Sequence, residues 1–592
     1  MVVFGLDFGT TFCTLSVCCS KEIVLLKQNG YSFIPTTIFL CLDDTVLYGY
    51  DADYAHASGW SGFYYKDLKR WVGCTDKNFY TYMDKLKPDY EARLSLVGKG
   101  TLKTVELPSL SNTKRYIPLP ELIALYTKCI VKDAERAFTL TCTGVICSVP
   151  AGYNTIQRAF TEQSISRSGF PCVYMLNEPS AAALASAPML KSEDKRLLIY
   201  DFGGGTFDVS AVTVEGATFV VKSSAGDMNL GGRDIDLALS NFLKKLAKSD
   251  YVGELAVTSL KEGLSMAEGK IKYLVPSSNG DVEVVVSTSM LNEICSPFIK
   301  RTLKIVEKVR EKARFSAEHG AKVVVVGGSS TLPGLCDELN AVHGISGLVR
   351  LLDHRAAVSY GCALYAKCLT SASNVLMVDC ATSNICLPGT CADCIVVIPS
   401  GAPIPFDGER TIHINNASIN SYYDARLFEG NYTKAPRNEL IYSSRVLLKD
   451  LGLNNRQLTT VTVKLHTKID SVGKITYDIT GPSGVRKSVV GLPHYDFSNI
   501  SVGFGYKIKY LSDTNRNAAA LILCVTLDPE ARASYSFHKE DYLCEINDAK
   551  PLETYRSKYD VASSYRISES RSRMGKAVQK ILRGAAVERL PL

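Results

Sequence analysis

The chain has 592 residues, of which 46% are hydrophobic and 21% are charged, and this globular composition excludes a wholly disordered or fibrous protein. The net charge of +7 is small for this length, so it neither demands nor excludes an anionic partner. The longest apolar-leaning run, 518–527, is half of the roughly 20 residues that a membrane-spanning helix needs, so no transmembrane segment is predicted.

The first 370 residues alternate short β-branched runs with longer amphipathic stretches, which predicts an α/β architecture. Each run is closed by glycine, proline or aspartate, as is typical of buried strands. The runs are 2–4, 144–149, 197–200 and 322–326. Between them, 119–138 and 298–315 carry apolar residues at helical spacing and are predicted to be helices.

The pattern changes beyond about residue 371. From residue 374 to residue 527, short alternating segments such as 459–465 and 474–480 are separated by Gly, Pro, Asn and Ser. This texture favours a β-sandwich. The residues after 527 are charged and compatible with helix, so we expect two large domains and a small tail.

Two similar segments in the first domain predict a phosphate-binding site. Residues 5–11 and 200–208 each place an aspartate, Asp7 or Asp201, at a strand end and follow it with a glycine–threonine turn. The backbone N–H groups of such turns point at phosphate oxygens, and threonine hydroxyls add donors. Facing each other across a cleft, the two aspartates would hold a hydrated Mg²⁺, which usually takes one or two carboxylates. The spacing of the segments suits a duplicated subdomain.

A third glycine turn, 326–330, follows a valine-rich strand and is placed to face a nucleoside. Any one of these turns is more often structural than functional. Three in order, two of them alike, favour a nucleotide site. The motif G-x-x-x-x-G-K-[ST] does not occur, which excludes a P-loop machine.

The 19 cysteines are expected to stay reduced, because the N-terminal residues lack the features of a secretory signal. Cys386, Cys391 and Cys394 have the spacing C-x₄-C-x₂-C, which resembles half of a zinc site. No fourth ligand lies close by in the sequence, so metal binding is not predicted there.

Seven motifs occur in a fixed order along the first domain. They are 5–12, 67–73, 149–151, 177–183, 201–208, 226–234 and 326–329. Their order and spacing resemble the nucleotide-binding domain of the seventy-kilodalton heat-shock chaperones, members of the actin and sugar-kinase superfamily. The segments 1–12, 144–150, 171–179 and 580–584 are most similar to one branch, the heat-shock-type proteins of plant closteroviruses. This second resemblance covers nearly the whole chain.

The resemblance implies an actin-like duplicated ATPase domain over residues 1–370, with two lobes and RNase H-like subdomains. A linker over 371–380 and a β-sandwich, substrate-binding-like domain over 381–527 would follow. Residues 528–592 would form a shortened helical tail. The tail lacks the acidic terminal tetrapeptide of cytosolic chaperones, which argues against a general refolding role.

The resemblance also implies ATP and Mg²⁺ as cofactors. Asp7 and Asp201 would orient the metal and its waters, and Lys69 would stand near the γ-phosphate, where charge develops during phosphoryl transfer. The implied catalytic residues are Lys69, Glu178, Asp201, Thr206 and Asp208. The implied nucleotide-binding residues are Gly9, Thr10, Thr11, Phe12, Gly203, Gly204, Gly205, Gly232, Glu268, Lys272, Gly327, Gly328 and Ser329.

The base half of this expected site departs from the family pattern. Thr331 stands where an arginine would stack on adenine, Ile271 and Val275 replace polar contacts, and Arg355 replaces an expected acid. Each lost stacking or hydrogen-bonding partner costs on the order of 1 kcal/mol. We therefore expect ATP to remain the nucleotide, with weakened discrimination between bases.

By resemblance to the viral branch, the protein is expected to help assemble the tail of a filamentous virion and to move viral RNA between plant cells through plasmodesmata. Its partners would be the minor coat protein and other virion-tail proteins, with viral RNA contacted indirectly and a polypeptide substrate as a further candidate. It would be found in the virion, the host cytoplasm and plasmodesmata. The alternatives are a general cytosolic peptide-binding chaperone and a structural filament protein with a relic nucleotide site. A sugar kinase is disfavoured.

Overall fold

The computed structural model describes residues 2–19, 22–74, 79–80, 94–95, 104–107, 115–249, 252–266, 268–275, 281–315, 320–351, 353–370, 376–470, 473–489 and 507–508. The predicted helical tail 528–592 and most of 490–527 lie outside these residues. Among the described helices, none combines the length and the apolar character needed to cross a bilayer.

Nineteen strands are described before residue 351. They are β1 (Val2–Asp7), β2 (Phe12–Cys19), β3 (Glu22–Leu25), β4 (Ile34–Pro35), β5 (Ile38–Cys41), β6 (Thr45–Tyr48), β7 (Gly62–Tyr65), β8 (Leu94–Ser95), β9 (Thr104–Leu107), β10 (Arg115–Pro118), β11 (Cys142–Val149), β12 (Cys172–Asn177), β13 (Arg196–Phe202), β14 (Phe207–Glu215), β15 (Thr218–Asp227), β16 (Lys270–Val275), β17 (Val282–Ser287), β18 (Ala321–Val326) and β19 (Ile345–Arg350). The four runs predicted to be buried strands lie in β1, β11, β13 and β18.

The α-helices of the described residues all lie before residue 371. They are α1 (Tyr50–Ala57), α2 (Leu119–Phe138), α3 (Thr155–Arg167), α4 (Glu178–Ser186), α5 (Gly232–Ala247), α6 (Glu254–Met266), α7 (Thr288–Lys312), α8 (Leu335–Asn340) and α9 (Ala357–Thr370). The predicted helix 119–138 is α2. The other predicted helix lies in α7, which begins earlier because the Ser287 hydroxyl caps it by accepting from the Met290 N–H at 3.2 Å and because the helix continues through Pro297.

Two mixed sheets dominate this part of the chain. The first has the order β12-β11-β1-β2-β3, with β4 paired to β2, and the second contains β19-β18-β13-β14-β15. In each sheet three consecutive antiparallel strands are extended on one side by two parallel strands. The repeated topology agrees with the internal sequence likeness. Mixed α/β sheets of this kind are consistent with an actin-like ATPase fold. We call the part built on the first sheet the first half and the part built on the second sheet the second half.

Helix α9 joins the two halves by packing closely against both β1 and α4. A Cβ on Gly361 would stand 1.9 Å from the Ala181 carbonyl oxygen, and a Cβ on Gly5 would stand 2.6 Å from the Ala363 nitrogen. Only glycine permits backbones to approach this closely. The packing brings the ends of β1 and β13 to a common cleft.

The remaining strands form the second part of the chain. They are β20 (Leu376–Cys380), β21 (Ile385–Pro388), β22 (Cys394–Ile398), β23 (Pro403–Ile404), β24 (Phe406–Ala417), β25 (Tyr422–Glu429), β26 (Glu439–Leu447), β27 (Thr459–Ile469), β28 (Ile475–Thr480), β29 (Arg486–Val489) and β30 (Lys507–Ile508). They include two four-stranded sheets, β22-β21-β25-β26 and β24-β27-β28-β29. The rings of Tyr442 and Tyr477 meet between these sheets with centroids 6.1 Å apart. The predicted alternating segments 459–465 and 474–480 lie in β27 and β28, whose inward residues are buried.

The segment expected to be a linker is only partly described. Residues 376–380 form β20, which pairs in parallel with β15 at the edge of the second sheet and continues the sheet to β23. Residues 371–375 lie outside the described part. The proposed domain boundaries therefore stay predictions.

Buried polar contacts connect the second part of the chain to the strand end that precedes Glu178. We call the strands after residue 380 the β-domain. The Thr155 N–H donates to Glu429 Oε2 at 2.7 Å, and Arg158 Nη2 donates to Asn177 Oδ1 at 2.6 Å. Asp379 in β20 accepts from the Ser180 hydroxyl at 2.8 Å. Arg158 also lies in the electrostatic field of both Asp379 and Glu429. A displacement of β20 or of the β-domain would therefore change the hydrogen bonds of residues next to Glu178.

Candidate functional site

Three aspartates and one glutamate meet in the cleft between the two halves. Asp7 ends β1, Asp201 lies near the end of β13, and Asp208 lies on β14 directly opposite Asp201. Asp201 and Asp208 are buried, as is Glu178 at the start of α4. Asp7 accepts from the Ser148 hydroxyl at 2.7 Å. Such a concentration of acids is costly unless cations balance it.

The electrostatics of the cleft reflect this crowding. Burial, and next the charge of Glu178, raise the pKa of Asp7 to about 6, against the opposing effects of Lys69 and Ser148. The same two causes raise the pKa of Asp208 to about 7. The pKa of Asp201 is raised well above its ordinary value, first by burial and then by Glu178, Asp7 and Asp208. Without a metal, Asp208 takes up a proton near neutral pH and Asp7 about one pH unit lower.

One lysine enters the acid cluster from the first half. Lys69 lies on a short 3₁₀ helix, Leu68–Trp71, and its Nζ stands 2.5 Å from Glu178 Oε1 in a buried ion pair. Burial alone would lower the pKa of Lys69, but the charges of Glu178, Tyr153 and Asp7 outweigh burial and raise it. The ammonium therefore remains charged throughout the physiological range. Asp67, at a left-handed φ of 54°, begins the turn that aims Lys69 inward.

The two glycine–threonine turns touch each other across the cleft. A Cβ on Gly204 would stand 2.3 Å from Thr11 Oγ1, and a Cβ on Gly205 would stand 2.8 Å from Thr10 Cγ2. Within its own turn, Gly9 has no room for a side chain, because a Cβ would stand 1.9 Å from the Phe12 carbonyl oxygen. Side chains at these glycines would separate the two halves and fill the space that backbone N–H groups leave for an anion.

The second turn is closed and supported by its own half. The Gly203 N–H donates to the Thr206 carbonyl oxygen at 3.0 Å, and the Gly203 carbonyl oxygen accepts from the Gly232 N–H at 3.0 Å and the Ser329 hydroxyl at 2.8 Å. Helix α5 begins at Gly232, so its N-terminal end faces the same turn. This arrangement joins three sequence motifs into one anion-binding wall.

The third turn lies directly behind Asp201. Gly327 has a φ of 86°, and a Cβ there would stand 2.7 Å from Asp201 Oδ1, so glycine is required both by conformation and by space. A Cβ on Gly328 would stand 3.8 Å from the Nε atom of Arg355. The turn therefore connects the acid cluster to the side of the cleft where Arg355 lies.

The structure places beside Gly232 a lysine that the sequence reasoning did not identify. Lys261 on α6 is buried, and its Nζ donates to the Gly232 carbonyl oxygen at 3.2 Å and pairs with Asp236 Oδ1 at 2.8 Å. The available signal was its position on the apolar face of α6, between Val257 and Leu264, where a lysine is unusual without a partner.

The two predicted residues nearest to α6 in sequence have other surroundings. Lys272 lies on β16, pairs with Glu283 Oε1 on β17 at 2.9 Å and is 72% exposed. Glu268 is exposed. Neither is brought into contact with the glycine turns, whereas the other predicted site residues surround the cleft.

Arg355, which departs from the family pattern, connects the two halves at the open side. Its guanidinium carbon lies 4.8 Å above the centre of the Phe33 ring, and its Nη2 stands 3.6 Å from Glu262 Oε1. Phe33 packs edge-on against Phe12, with ring centroids 5.5 Å apart. Phe12 follows the first glycine–threonine turn. Sequence reasoning identified the substitution but not its partner, because Phe33 lies in a distant part of the chain.

The cleft fits a magnesium–nucleotide complex. Both carboxylate oxygens of Asp208 and the Thr11 hydroxyl are buried and, among the described residues, have no hydrogen-bond partner. Buried polar atoms of this kind are expected to meet a ligand, an ion or water. Carboxylate oxygens are suitable for Mg²⁺ with its waters, and the glycine cradle with the Thr11 hydroxyl is suitable for phosphate.

Comparisons with known proteins agree with this geometry. Residues 3–483 match the family described as Hsp70 protein. The chain is 41% identical, over the whole of both chains, to "Movement protein Hsp70h" of Beet yellows virus (isolate Ukraine). It is 33% identical to the protein of the same name from Grapevine leafroll-associated virus 3, over 74% of this chain and 78% of that protein. Similarity extends to "Heat shock cognate HSP70 protein" of Trypanosoma brucei brucei, with 24% identity over 80% of this chain and 72% of that protein.

Proposed function

This chain belongs to the Hsp70 family, and on that premise we propose that it is a Mg²⁺-dependent ATPase of a closterovirus that acts in virion-tail assembly and in cell-to-cell movement. The observation that carries the ATPase is the buried cluster of Asp7, Asp201, Asp208 and the Lys69–Glu178 pair beneath two opposed glycine turns. ATP binding and hydrolysis are general properties of the family. Two relatives, at 41% and 33% identity, bear the name of movement proteins.

The proposed chemistry is phosphoryl transfer to water, in which positioning and charge stabilisation supply most of the rate. Mg²⁺, when bound, neutralises phosphate charge and would be held, mostly through water, by Asp7 and Asp201. The glycine N–H groups and the Thr10 and Thr11 hydroxyls hold phosphate oxygens in place. Thr206 closes the turn that presents these groups.

The acid–base groups act on the attacking water. Lys69 places a permanent positive charge against the transferring phosphoryl group. Glu178 fixes the position of that charge through the 2.5 Å contact and, with Asp208, accepts hydrogen bonds from the water. Because the pKa of Asp208 is raised to about 7, this carboxylate exchanges a proton near neutral pH, as a general base requires.

The contacts of the β-domain support a mechanical use of ATP. Asn177, whose side chain accepts from Arg158, immediately precedes Glu178, and Arg158 faces Asp379 of β20 and Glu429 of the β-domain. A shift of Glu178 during the nucleotide cycle would change the hydrogen bonds that hold the β-domain. Such a change could alter a bound virion protein.

Arg355 is expected to slow nucleotide release, because it connects the two halves across the open side of the cleft. Phe33→Leu removes the ring beneath the guanidinium while preserving apolar volume. We expect it to raise the dissociation rate of a fluorescent ATP analogue about 3- to 30-fold, the range for a partly desolvated cation–π contact. Stopped-flow displacement measures this rate. The control Tyr422→Leu, at an exposed aromatic of β25, should leave the dissociation rate unchanged. Equal rates in both variants would show that the Arg355–Phe33 contact does not slow nucleotide release.

The partners in this proposal are the minor coat protein and other virion-tail proteins, and the proposed locations are the virion, host cytoplasm and plasmodesmata.

To test the proposed function, filaments are purified from tissue infected with wild-type virus or with virus encoding Lys69→Met, and the protein is located by immunogold labelling. We expect labelling at one filament end in the wild type and reduced cell-to-cell spread in the variant. Normal ATP turnover and normal tails in Lys69→Met would show that catalysis is not the function. Unlabelled filament ends, with peptide release that depends on ATP, would favour a general chaperone.

A further inference from the structure

A pair of thiols lies at the end of the β22-β21-β25-β26 sheet of the β-domain, remote from the nucleotide cleft. Cys386 on β21 and Cys394 on β22 have their sulfur atoms 3.0 Å apart. In the strand register Cys386 is opposite Val396, so Cys394 is its diagonal neighbour, two residues along β22. Diagonal residues of an antiparallel pair share one face of the sheet. A disulfide would require the sulfurs to approach by only about 1 Å.

A hydrogen-bonded amide orients the pair. Asn438 Oδ1 accepts from the Tyr432 N–H at 2.9 Å, and this contact directs Nδ2 toward the sulfurs of Cys394, at 3.2 Å, and Cys386, at 3.8 Å. The approach of Asn438 depends on Gly430, where a Cβ would stand 2.3 Å from Asn438 Oδ1. The amide donor therefore lies closer to the Cys394 sulfur than to the Cys386 sulfur.

The two cysteines differ in access. Cys386 is fully buried, and Cys394 is partly exposed. Burial, and next the neighbouring Cys394 sulfur, raise the pKa of Cys386 to about 12, so Cys386 remains a thiol at neutral pH. An attacking oxidant therefore meets Cys394 first and leaves Cys386 behind it as the resolving thiol.

The third cysteine of the C-x₄-C-x₂-C spacing has different surroundings from the pair. Cys391, three residues before Cys394, is exposed in a turn that the Asp393–Lys434 ion pair, at 2.6 Å, fastens to the loop after β25. In the part of the chain that the structure describes, no cluster of three or more His, Cys, Asp or Glu side chains is arranged to hold a metal ion. The half-zinc spacing noted in the sequence thus corresponds to a two-thiol site with a third cysteine outside it.

We propose that Cys386 and Cys394 form a peroxide-sensitive dithiol that closes to a disulfide and is reopened by a dithiol reductant. The Cys394 thiolate attacks one oxygen of a hydroperoxide, the O–O bond breaks, and hydroxide or alkoxide leaves, which gives the sulfenic acid of Cys394. The Cys386 sulfur then attacks the Cys394 sulfur, the S–O bond breaks, and the departing oxygen takes up the thiol proton as water. Two thiols have lost two electrons and two protons, and with hydrogen peroxide the other product is two waters.

Closure changes the loops at this end of the sheet. The reduced Cys394 thiol donates to the Tyr432 carbonyl oxygen at 3.2 Å, and the disulfide abolishes this contact. At the same time the end of β21 becomes covalently fixed to the start of β22. The turn between them, which includes Cys391 and Ala392 at left-handed φ values of 56° and 61°, is then held closed.

The experiment uses the full chain, reduced and freed of reductant, and exposed to a small excess of hydrogen peroxide. Remaining thiols are alkylated, and the peptides are mapped by mass spectrometry with and without dithiothreitol. We expect a Cys386–Cys394 cross-link that dithiothreitol reverses and that forms unchanged in Cys391→Ser. Buried thiols such as Cys13, whose pKa burial raises to about 11, should be recovered alkylated only after unfolding.

Two further variants decide the mechanism. Cys394→Ser should leave Cys386 reduced, and Asn438→Leu should slow the cross-link about tenfold, because the amide that orients the two sulfurs is lost. Recovery of Cys394 as sulfinic acid with Cys386 still reduced would overturn the proposal, as would a dominant Cys391–Cys394 bond. The wild-type map decides the question by itself even where a variant fails to fold.

Discussion

Lys69→Met lowers the rate of ATP hydrolysis by roughly 10²- to 10³-fold, the loss seen when one group that stabilises transition-state charge is removed. Lys69 is the sole lysine that the described residues place in the acid cluster, with its Nζ 2.5 Å from Glu178. Methionine keeps the length and apolar stem of lysine and removes only the charge. Steady-state phosphate release by the purified full chain measures the effect. ATP affinity should change much less, because the glycine turns and the metal-binding acids are retained.

A matched pair of variants separates catalysis from stability. Lys69→Met leaves Glu178 buried without its partner, and breaking a buried pair in this way costs about 3–5 kcal/mol of unfolding free energy. The double variant Lys69→Met/Glu178→Gln removes both charges, so we expect it to regain most of that stability and to remain inactive. Hydrolysis restored in the double variant would show that Lys69 acts only by neutralising Glu178. Wild-type hydrolysis in the single variant would refute the proposed site.

Affinity for Mg–ATP falls as the pH is lowered from 8 to 5.5. The pKa of Asp7 is raised to about 6 and that of Asp208 to about 7, both first by burial, so the nucleotide-free protein takes up protons across this range. Mg²⁺ binds the ionised carboxylates, and protons compete with it. Below the pKa of each group, affinity drops about tenfold per pH unit per proton displaced. Isothermal titration calorimetry at constant ionic strength, with Mg–ATP titrated into the full chain, measures the slope.

Stability without ligand is expected to change in the opposite direction. An aspartate whose pKa is higher in the folded than in the unfolded state contributes stability below the unfolded value, near 3.9, and loses it as the pH rises through the folded value. From Asp7 and Asp208, whose pKa values are raised to about 6 and about 7, we therefore expect the ligand-free protein to lose unfolding free energy between about pH 4 and 7. Thermal melts with and without Mg–ATP check this.

A variant identifies the group responsible for the pH dependence. Asp208→Asn removes the carboxyl whose oxygens have no hydrogen-bond partner among the described residues. It should flatten the stability change near pH 7 and retain the part near pH 6 that Asp7 contributes. A melt that is independent of pH in the wild type would show that the acids are ionised in the folded protein, contrary to the burial argument.

Local patterns in the sequence predicted the two glycine–threonine turns that meet in the cleft. Asp7 and Asp201 each precede a glycine–threonine turn at a strand end, and the conformation of such a turn depends mainly on residues within it. The duplication was also visible, because the two turns share their residues. The order of the motifs supported the family, which the comparisons then confirmed.

Contacts between distant residues could not be obtained in this way. Lys69 and Glu178 are 109 positions apart, and no local propensity indicates that their side chains meet. Lys261 is buried at Gly232 and Lys272 is exposed beside Glu283, although both are lysines near the same helix. Which of the two faces the cleft depends on how α6 and β16 pack, and packing is decided by the whole core.

The sequence by itself thus determined the family, the α/β character of the first part and the conformation of its phosphate turns, since these depend on short stretches of chain. Only the tertiary structure decided which charges lie together, that Arg355 reaches Phe33, and that Cys386 faces Cys394. Burial and long-range approach set the energies of those contacts, and both arise only when the sheets, helices and β-domain are assembled.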